Sequence, residues 1–467
     1  MANEYDLVIV GGGPAGYVAA IRAAQLKLKV AIVEAEKLGG TCLHKGCIPT
    51  KALLKSAEQL RNLQHADNFG IEATNFTFNF AKAQQRKNAV IEQLEAGIHS
   101  LMKKGKIDVY EGFGRILGPS IFSPLPGTVS VEYSEGNEND LLVPKNLLIS
   151  TGSKPRELSL LPFNGTTIIS SDHIVSMEEL PKNIAIIGGG VIGIEWATML
   201  HDMGVDVTII EAGKHIVPSE DVEISTALAK HLTARGIKIH INTTIDTVAI
   251  HEHSVDITVE HSVQSFEKVF VAIGRQAQIK GIGIENTNIQ VVHDMIKVNK
   301  NGQTKEAHIY AAGDVIGGVQ LAHAASNEAI HAVEHMAGLN PGAMNTHIPS
   351  CIYSYPEVAH IGLNEAQAKE QFSAITVKKF PFKGNAKALI NGEDFGFVKM
   401  IVDADTDDVV GVHLIGDQVT ELIAESSLAF TVDASAWEIG HTIHPHPSVS
   451  EVMQEVALAI HDEAIHY

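Results

Sequence analysis

The sequence is poor in cysteine and in positive charge. Three cysteines among 467 residues cannot cross-link so long a chain, which argues against a disulfide-stapled secreted fold and leaves any thiol pair catalytic or metal-binding. Lys and Arg number 35 against 55 Asp and Glu, a formal net charge of −20. An anionic surface repels phosphate backbones and anionic lipids, so we expect no nucleic-acid partner and no membrane-surface role.

Long apolar runs are also missing. The uncharged run from Leu7 to Ile21 is shorter than the roughly 18 residues that a membrane span needs, and glycines interrupt it. Glu4 and Asp6 stand where a secretory signal would carry basic residues. The sequence therefore predicts a cytoplasmic protein with no membrane span, and its length predicts two to four domains at roughly 100–200 residues each.

What the sequence does contain is an internal repeat. Residues 5–16 (YDLVIVGGGPAG) resemble residues 182–193 (KNIAIIGGGVIG), and a second apolar run ending in an acid follows each copy, at 30–34 and 207–211. Each copy is typical of a buried strand, a glycine turn, a helix and a second strand. The repeat predicts an α/β protein with two Rossmann-like dinucleotide-binding domains.

The repeated glycines fit a pyrophosphate site, because they allow a tight turn, close phosphate approach and close helix–sheet packing. They are Gly11, Gly13 and Gly16, then Gly188, Gly190 and Gly193. Glu34 and Glu211 are expected to accept hydrogen bonds from ribose hydroxyls. A carboxylate repels a 2′-phosphate, and only Lys214 is basic beside Glu211, so the second site should prefer NAD to NADP. The alternative is a pair of glycine turns that pack helices without nucleotide.

Two cysteines lie five residues apart in residues 39–51 (GGTCLHKGCIPTK). Only Cys351 remains elsewhere, too few for a zinc or iron–sulfur site, so no metal is expected. On an ideal helix the Cα atoms of Cys42 and Cys47 would lie roughly 8–9 Å apart, beyond disulfide reach, so pairing requires a loop or a distorted turn. The motif favours a redox disulfide over inert thiols, and Lys51 lies one helical turn after Cys47.

A second candidate site is residues 444–451 (HPHPSVSE). Prolines restrict the backbone around His446, and Glu451 is near enough to hold one ring nitrogen. The other nitrogen can then act as a base, since imidazole titrates near neutral pH. A capping turn, or a chance His-x-His in a chain with 24 histidines, is the alternative.

Together these motifs resemble the flavin disulfide reductases, from Tyr5 to the end of the sequence. Further similar stretches are residues 150–153 (STGS), 272–275 (AIGR), 311–314 (AAGD), 320–323 (QLAH), 380–382 (FPF) and 396–399 (GFVK). The likeness is closest to the members that serve bacterial branched-chain 2-oxoacid dehydrogenase complexes. It implies four segments: an FAD-binding domain (1–150), an NAD-binding domain (151–275), a central segment completing the FAD domain (276–345), and a C-terminal α+β interface or dimerisation domain (346–467).

The resemblance also implies roles for individual residues. Cys47 would lie against the flavin, Cys42 would face the substrate, Lys51 would pair with Glu195, and His446 oriented by Glu451 would be the acid–base. The positions that the resemblance assigns to cofactor binding are Gly11, Gly13, Gly16, Glu34, Thr41, Lys51, Gly114, Thr151, Gly152, Ser153, Asp314, Gln320, Leu321, Ala322, His323, Gly188, Gly190, Gly193, Glu195, Glu211 and Gly274.

The implied activity is oxidation of protein-bound dihydrolipoyl-lysine by NAD⁺ through the redox disulfide and FAD. The chain would act as a homodimer, docked on the dihydrolipoyl acyltransferase core of a 2-oxoacid dehydrogenase complex. Two departures are Ser448, where the family usually has Thr, and the lack of a lipoyl domain before the fold, so lipoyl groups would come from a partner. The rivals are a glutathione- or mercury-type reductase and a non-catalytic flavoprotein scaffold.

Overall fold

The computed structural model describes residues 3–121, 123–134 and 138–466. The chain separates into two units. The first contains residues 3–52, 82–156 and 274–344, and the second contains residues 53–81, 157–273 and 345–466. The division into four consecutive segments expected from the sequence stays a prediction.

The first unit is built on a seven-stranded sheet. Strand Asn3–Val10 is central and pairs in parallel with Val30–Glu34 on one side and Asp140–Ile149 on the other. Ile309–Ala311 also pairs in parallel with Asp140–Ile149, so a strand from late in the chain joins this sheet. Val8, Ile9 and their neighbours are fully buried, because helices cover both faces of a parallel sheet.

The elements that complete the first unit are short. The other strands are Asp108–Glu111, Phe113–Ile116, Val129–Glu132, Ser153–Pro155, Arg275–Ala277, Val291–Val292 and Met295–Ile296. The helices are Pro14–Gln25, Gly40–His44 and Ala322–Met336, with 3₁₀ turns at Ile284–Asn286 and Asp314–Ile316. Two longer helices, Cys47–Gln64 and Phe80–Gly105, each contain a boundary between the two units.

The second unit repeats the nucleotide-binding topology. Its parallel sheet has the order Lys238–His240, Asp206–Ile210, Asn183–Ile187, Lys268–Val271 and Ile168–Ile169. Between Lys238–His240 and Lys268–Val271 the chain forms an antiparallel sheet. Its strands are Thr247–Ile250, Val255–Val259 and Ser262–Phe266. The helices are Ser171–Ile174, Val191–Asp202 and Val222–Arg235.

The rest of the second unit is an antiparallel sheet covered by helices. Its strand order is Ser350–Ile352, Glu357–Gly362, Val409–Gly416, Phe397–Asp403 and Ile375–Pro381. The helices are Glu365–Gln371, Ala386–Asn391, Val419–Thr431, Ala436–His441 and Glu451–Ile460, and 3₁₀ turns lie at Ala66–Phe69 and Phe382–Gly384. Two Rossmann-like folds with an α+β C-terminal part confirm the expected fold class.

A buried lysine lies between the sheet and the neighbouring helices of the second unit. Lys399 is 1% exposed, and its Nζ lies 3.0 Å from Asp221, 2.8 Å from Glu223 and 2.7 Å from Glu365. Asp221 is also the N-cap of helix Val222–Arg235, where it accepts a hydrogen bond from the Glu223 N–H. A cation without solvent is tolerated here because three carboxylates compensate it.

Candidate functional site: two nucleotide turns, a thiol pair and a histidine–glutamate pair

The first glycine turn joins a strand to a helix. Gly11 directly follows strand Asn3–Val10. Its φ is +104°, a conformation that residues with a side chain rarely adopt. Gly16 packs so closely against the Gly11 carbonyl that a Cβ would overlap it. A Cβ on Gly13, the N-cap of helix Pro14–Gln25, would meet nothing nearer than the Gly40 Cα at 4.0 Å. The space beside this helix N-terminus is therefore open.

Glu34 fixes the same turn from the next strand. Its Oε2 accepts a hydrogen bond from the Gly12 N–H at 2.6 Å, and its Oε1 accepts one from the Glu36 N–H at 2.8 Å. No side chain caps helix Pro14–Gln25, so its first N–H groups face the open space and suit a dinucleotide phosphate. Sequence reasoning gave Glu34 a role toward ribose and missed its bonds to the backbone.

The second copy has the same construction. Gly188 has a φ of +105°, a Cβ on Gly193 would overlap the Gly188 carbonyl, and a Cβ on Gly190 would meet no atom within 4 Å. Glu211 Oε2 accepts from the Gly189 N–H at 2.6 Å, and Oε1 accepts from the Gly213 N–H at 2.5 Å. Both turns therefore leave open space at a helix N-terminus, where a dinucleotide phosphate can bind.

Glu195 lies on the helix that follows the second turn. It is buried within Val191–Asp202, and its Oε1 accepts a hydrogen bond from the Tyr353 N–H at 2.9 Å. The carboxylate is thus held by backbone from the C-terminal sheet region of its own unit. Its partnership with Lys51 stays a prediction.

Cys42 and Cys47 lie in two separate helical segments. Cys42 belongs to Gly40–His44, and Cys47 is the first residue of Cys47–Gln64. The break between the segments removes the ideal-helix spacing and lets the two thiols meet, and no disulfide joins them. The hydrogen bond between the two sulfurs, and after it burial, raises the pKa of Cys42 well above its ordinary value. A bond with this effect stabilises the protonated form of Cys42.

Two further side chains act on this thiol pair. The charge of Lys51 opposes the rise in the pKa of Cys42. Burial, and after it the charges of Cys42 and Cys47, raises the pKa of Tyr17 on helix Pro14–Gln25. The phenol is therefore within electrostatic range of the thiols. Sequence reasoning missed Tyr17 because a single aromatic residue on an Ala-rich helix belongs to no motif.

Residues from three separate motifs converge around Asp314. Ser153 Oγ donates to Asp314 Oδ2 at 2.5 Å. Arg275 Nε donates to Ser153 Oγ at 2.7 Å and lies 4.0 Å from Asp314 Oδ2. The network fixes the Asp314 carboxylate and leaves it acceptor capacity toward a polyhydroxylated ligand.

The turn after strand Asp140–Ile149 is open on one side. Thr151 Oγ1 donates to the Gln278 carbonyl at 2.6 Å. Gly152 has a φ of +69° and Gly274 a φ of +99°, and a Cβ on either would meet no atom within 4 Å. These positions leave room for a ligand, which supports their predicted role without testing it.

Other predicted cofactor positions are placed differently. A Cβ on Gly114, within strand Phe113–Ile116, would approach Val10 Cγ1 to 2.9 Å, so packing in the sheet already explains this glycine. Thr41 lies in the short helix that carries Cys42. Gln320 and Leu321 directly precede helix Ala322–Met336, and Ala322 and His323 are its first two residues. Leu321 is the N-cap of this helix, and no side chain caps the helix.

His446 and Glu451 form a hydrogen-bonded pair. Glu451 is the first residue of helix Glu451–Ile460; its Oε1 lies 2.8 Å from His446 Nδ1, and its Oε2 accepts from the Ser448 N–H at 2.9 Å. The His446 side chain is 73% exposed and that of Glu451 24%. The arrangement leaves Nε2 of His446 directed toward whatever approaches from solvent.

A second histidine of the motif is buried. His444 Nε2 lies 2.8 Å from Glu425 Oε1, and its Nδ1 lies 3.0 Å from the Thr442 carbonyl. The bond to Glu425 raises the pKa of His444, against the opposing effect of burial. Sequence reasoning missed this pair because Glu425 lies 19 residues earlier, on helix Val419–Thr431.

No group of three or more His, Cys, Asp or Glu side chains in the described part of the chain is arranged to hold a metal ion. Among the helices of the same residues, none is long and apolar enough to cross a membrane.

Comparison with family models assigns both parts of the chain. The model described as pyridine nucleotide-disulphide oxidoreductase matches residues 5–329, and the dimerisation domain of the same group matches residues 348–457. Curated relatives include the dihydrolipoyl dehydrogenase of Bacillus subtilis strain 168, 56% identical over the whole of both chains. The dihydrolipoyl dehydrogenase of Zymomonas mobilis is 38% identical, also over the whole of both chains.

Solved structures show the same fold. LpdA from Mycobacterium tuberculosis superposes with a TM-score of 0.91 at 24% identity, covering 98% of this chain and 100% of that chain. The HOCl-induced flavoprotein disulfide reductase RclA from Escherichia coli, in a Cu(II) complex, superposes with a TM-score of 0.87 at 28% identity, covering 98% of this chain and 99% of that one.

Proposed function

The chain belongs to the pyridine nucleotide-disulphide oxidoreductases, and we propose that within this family it is a dihydrolipoyl dehydrogenase that oxidises protein-bound dihydrolipoyl-lysine with NAD⁺. The observation that carries the proposal is the contact between the Cys42 and Cys47 thiols at the start of a helix. Two thiols in contact can form and break one disulfide without rearranging the backbone, as a dithiol substrate requires.

The substrate half-reaction is a balanced disulfide exchange. One thiol of the dihydrolipoyl group loses its proton to His446 and attacks Cys42 of the oxidised pair, which releases Cys47 as a thiolate. The second substrate thiol then attacks the mixed disulfide at the lipoyl sulfur and expels the Cys42 sulfur, which takes up the proton of that thiol. The products are lipoyl-lysine and the reduced pair of Cys42 and Cys47. The bond from His446 Nδ1 to Glu451 orients the ring and stabilises its protonated form.

In this scheme Cys42 faces the substrate and Cys47 lies toward the cofactor, and the hydrogen bond between the two sulfurs raises the pKa of Cys42. Bound FAD would supply a two-electron carrier between the reduced thiols and NAD⁺. The chain contributes the Gly11–Gly16 turn with Glu34 and Asp314 toward FAD, and the Gly188–Gly193 turn with Glu211 toward NAD.

The proposed partners follow from the reaction. The dimerisation-domain match supports a homodimer, and we place His446 of each chain at the thiol pair of the partner subunit. Lipoyl-lysine carried by other proteins implies lipoyl domains and the dihydrolipoyl acyltransferase core of a 2-oxoacid dehydrogenase complex. Use of soluble NAD⁺ fits a cytoplasmic location.

The test is NADH formation from dihydrolipoamide and from isolated reduced lipoyl domains, followed at 340 nm. Wild type should turn over with NAD⁺ and poorly with NADP⁺, Cys42→Ser and Cys47→Ser should be inactive, and Cys351→Ser should retain activity as the matched thiol control. Turnover of glutathione disulfide or mercuric ion with NADPH, in the absence of dihydrolipoamide oxidation, would overturn the proposal.

A further inference from the structure

Helix Glu451–Ile460 carries two glutamates one turn apart, and each binds a histidine. Glu451 Oε1 meets His446 Nδ1 at 2.8 Å while Oε2 accepts from the Ser448 N–H at 2.9 Å. Glu455 Oε1 meets His466 Nδ1 at 2.8 Å. Its Oε2 accepts from the Ile465 and His466 N–H groups at 2.9 and 3.1 Å. The second pair repeats the geometry of the first.

The two pairs also match in exposure. The His466 side chain is 70% exposed and that of Glu455 10%, close to the values of His446 and Glu451. In both, a partly buried carboxylate presents a histidine ring to solvent. The segment after the helix reaches Glu455 because it turns back and is anchored there by three hydrogen bonds.

The spacing brings the two pairs within electrostatic range. Residues four apart on a helix have Cβ atoms about 5–6 Å from each other. Burial raises the pKa of Glu451, but the Ser448 N–H, the bond and charge of His446, and finally the charge of His466 outweigh it, so that the pKa lies below its ordinary value. The charge of the second pair is therefore felt at the first.

We propose that Glu455 and His466 form a positioning pair that tunes, through Glu451, the strength of His446 as a base. The inference rests on the proposed function, which makes His446 the acid–base, and adds residues that touch neither substrate nor cofactor. A cation at His466 disfavours a second cation at His446, and a carboxylate at Glu455 favours it.

The other charged groups near the helix are engaged in their own pairs. His444 binds Glu425 on the preceding helix, Lys378 of the neighbouring strand binds Asp462, and His461 lies 3.3 Å from Asp407. Glu438 on helix Ala436–His441 accepts from Ser435. Lys399 is held by Asp221, Glu223 and Glu365, and Lys383 lies on the turn whose Gly384 approaches the His466 carbonyl. These charges stay constant in the variants of His466 and Glu455.

The decisive test uses variants whose expected effects have opposite sign. His466→Gln leaves the Glu455 carboxylate unbalanced, so the midpoint of the pH profile of kcat/KM for dihydrolipoamide should rise by about 0.5 pH units. Glu455→Gln should lower it by a similar amount. The double variant should lie between the two. Asp462→Asn, which removes a carboxylate at the far end of the helix, is the matched control and should leave the midpoint unchanged.

Equal shifts in one direction, or lower kcat with no shift, would mean that the pair only anchors the backbone and would overturn the proposal. If Glu455→Gln fails to retain FAD, His466→Lys supplies a fixed cation without touching Glu455 and should lower the midpoint. The rate at which diethyl pyrocarbonate modifies His446, measured by mass spectrometry across pH, should show the same signed shifts. That readout needs no turnover, so it stands even if dihydrolipoamide is not the substrate.

Discussion

Replacing Glu211 with Ala should weaken NAD⁺ binding even though the residue already has two partners in the chain. Its two oxygens accept hydrogen bonds from the Gly189 and Gly213 N–H groups. Gly189 lies in the turn where the nucleotide phosphates would sit. The substitution therefore removes a ribose acceptor and also releases the backbone that shapes the phosphate site.

The size of the effect follows from those two bonds. A hydrogen bond to a charged acceptor contributes about 1.5–3 kcal/mol. Glu211 is half-buried, so water can replace part of what is lost, and we count the two bonds together as one. A loss of about 1.5–3 kcal/mol corresponds to a rise of about 10- to 150-fold in the Kd for NAD⁺. The preference for NAD⁺ over NADP⁺ should fall as well, because the repulsion of a 2′-phosphate disappears.

Calorimetric titration of the FAD-loaded protein with NAD⁺ and with NADP⁺ measures both quantities. Glu252→Ala is the matched control, since Glu252 has an exposed side chain in the same unit and its removal changes the net charge equally. An NAD⁺ affinity within twofold of wild type for Glu211→Ala, or a wild type that binds NADP⁺ as well as NAD⁺, would refute the role assigned to Glu211.

Three further outcomes are expected. His444→Gln should cost more unfolding free energy at pH 6 than at pH 9, by about 1 kcal/mol in urea titrations. The raised pKa of His444 gives stability that is complete below its ordinary value and lost as pH rises through the raised one; an equal cost at both pH values contradicts this. Lys399→Met should cost about 3–5 kcal/mol because buried carboxylates lose their cation, whereas Lys369→Met at an exposed helix pair should cost about 1 kcal/mol or less. Hybrid dimers of Cys47→Ala with His446→Ala subunits should recover about one active site per dimer if the histidine acts across subunits; no recovery places it within its own chain.

The glycine repeat and the apolar runs were sufficient to predict the main elements. In the predicted α+β C-terminal domain, the strands Ile375–Pro381, Phe397–Asp403 and Val409–Gly416 are rich in β-branched and other apolar residues, which favour strands. Buried strands leave short apolar runs bounded by turn residues, which sequence reasoning detects. Short helices such as Ala386–Asn391 and Ala436–His441 were missed, because one or two turns carry too few residues to show a period.

At the site, local motifs were predictable and long-range contacts were not. The pairing of His446 with Glu451 joins residues five apart, within reach of a motif. The pairing of Glu425 with His444 and the electrostatic coupling of Tyr17 to the thiols depend on how elements distant in the sequence pack. The hydrogen bond from the Gly12 N–H to Glu34 was also not predicted. A role toward ribose already accounted for a carboxylate at this position, so the sequence provided no reason to expect a structural role as well.

The most direct test of the central claim follows the thiols themselves. The oxidised, FAD-loaded protein is treated with dihydrolipoamide without NAD⁺, alkylated, and mapped by mass spectrometry. With one equivalent of dihydrolipoamide per thiol pair, Cys42 and Cys47 should become alkylated only after it is added, and Cys351 should label to the same extent with or without it. NAD⁺ added before the alkylating reagent should then restore protection together with one NADH per pair. Alkylation of Cys42 and Cys47 that does not change with dihydrolipoamide, or NADH formed while the pair stays oxidised, would contradict the account.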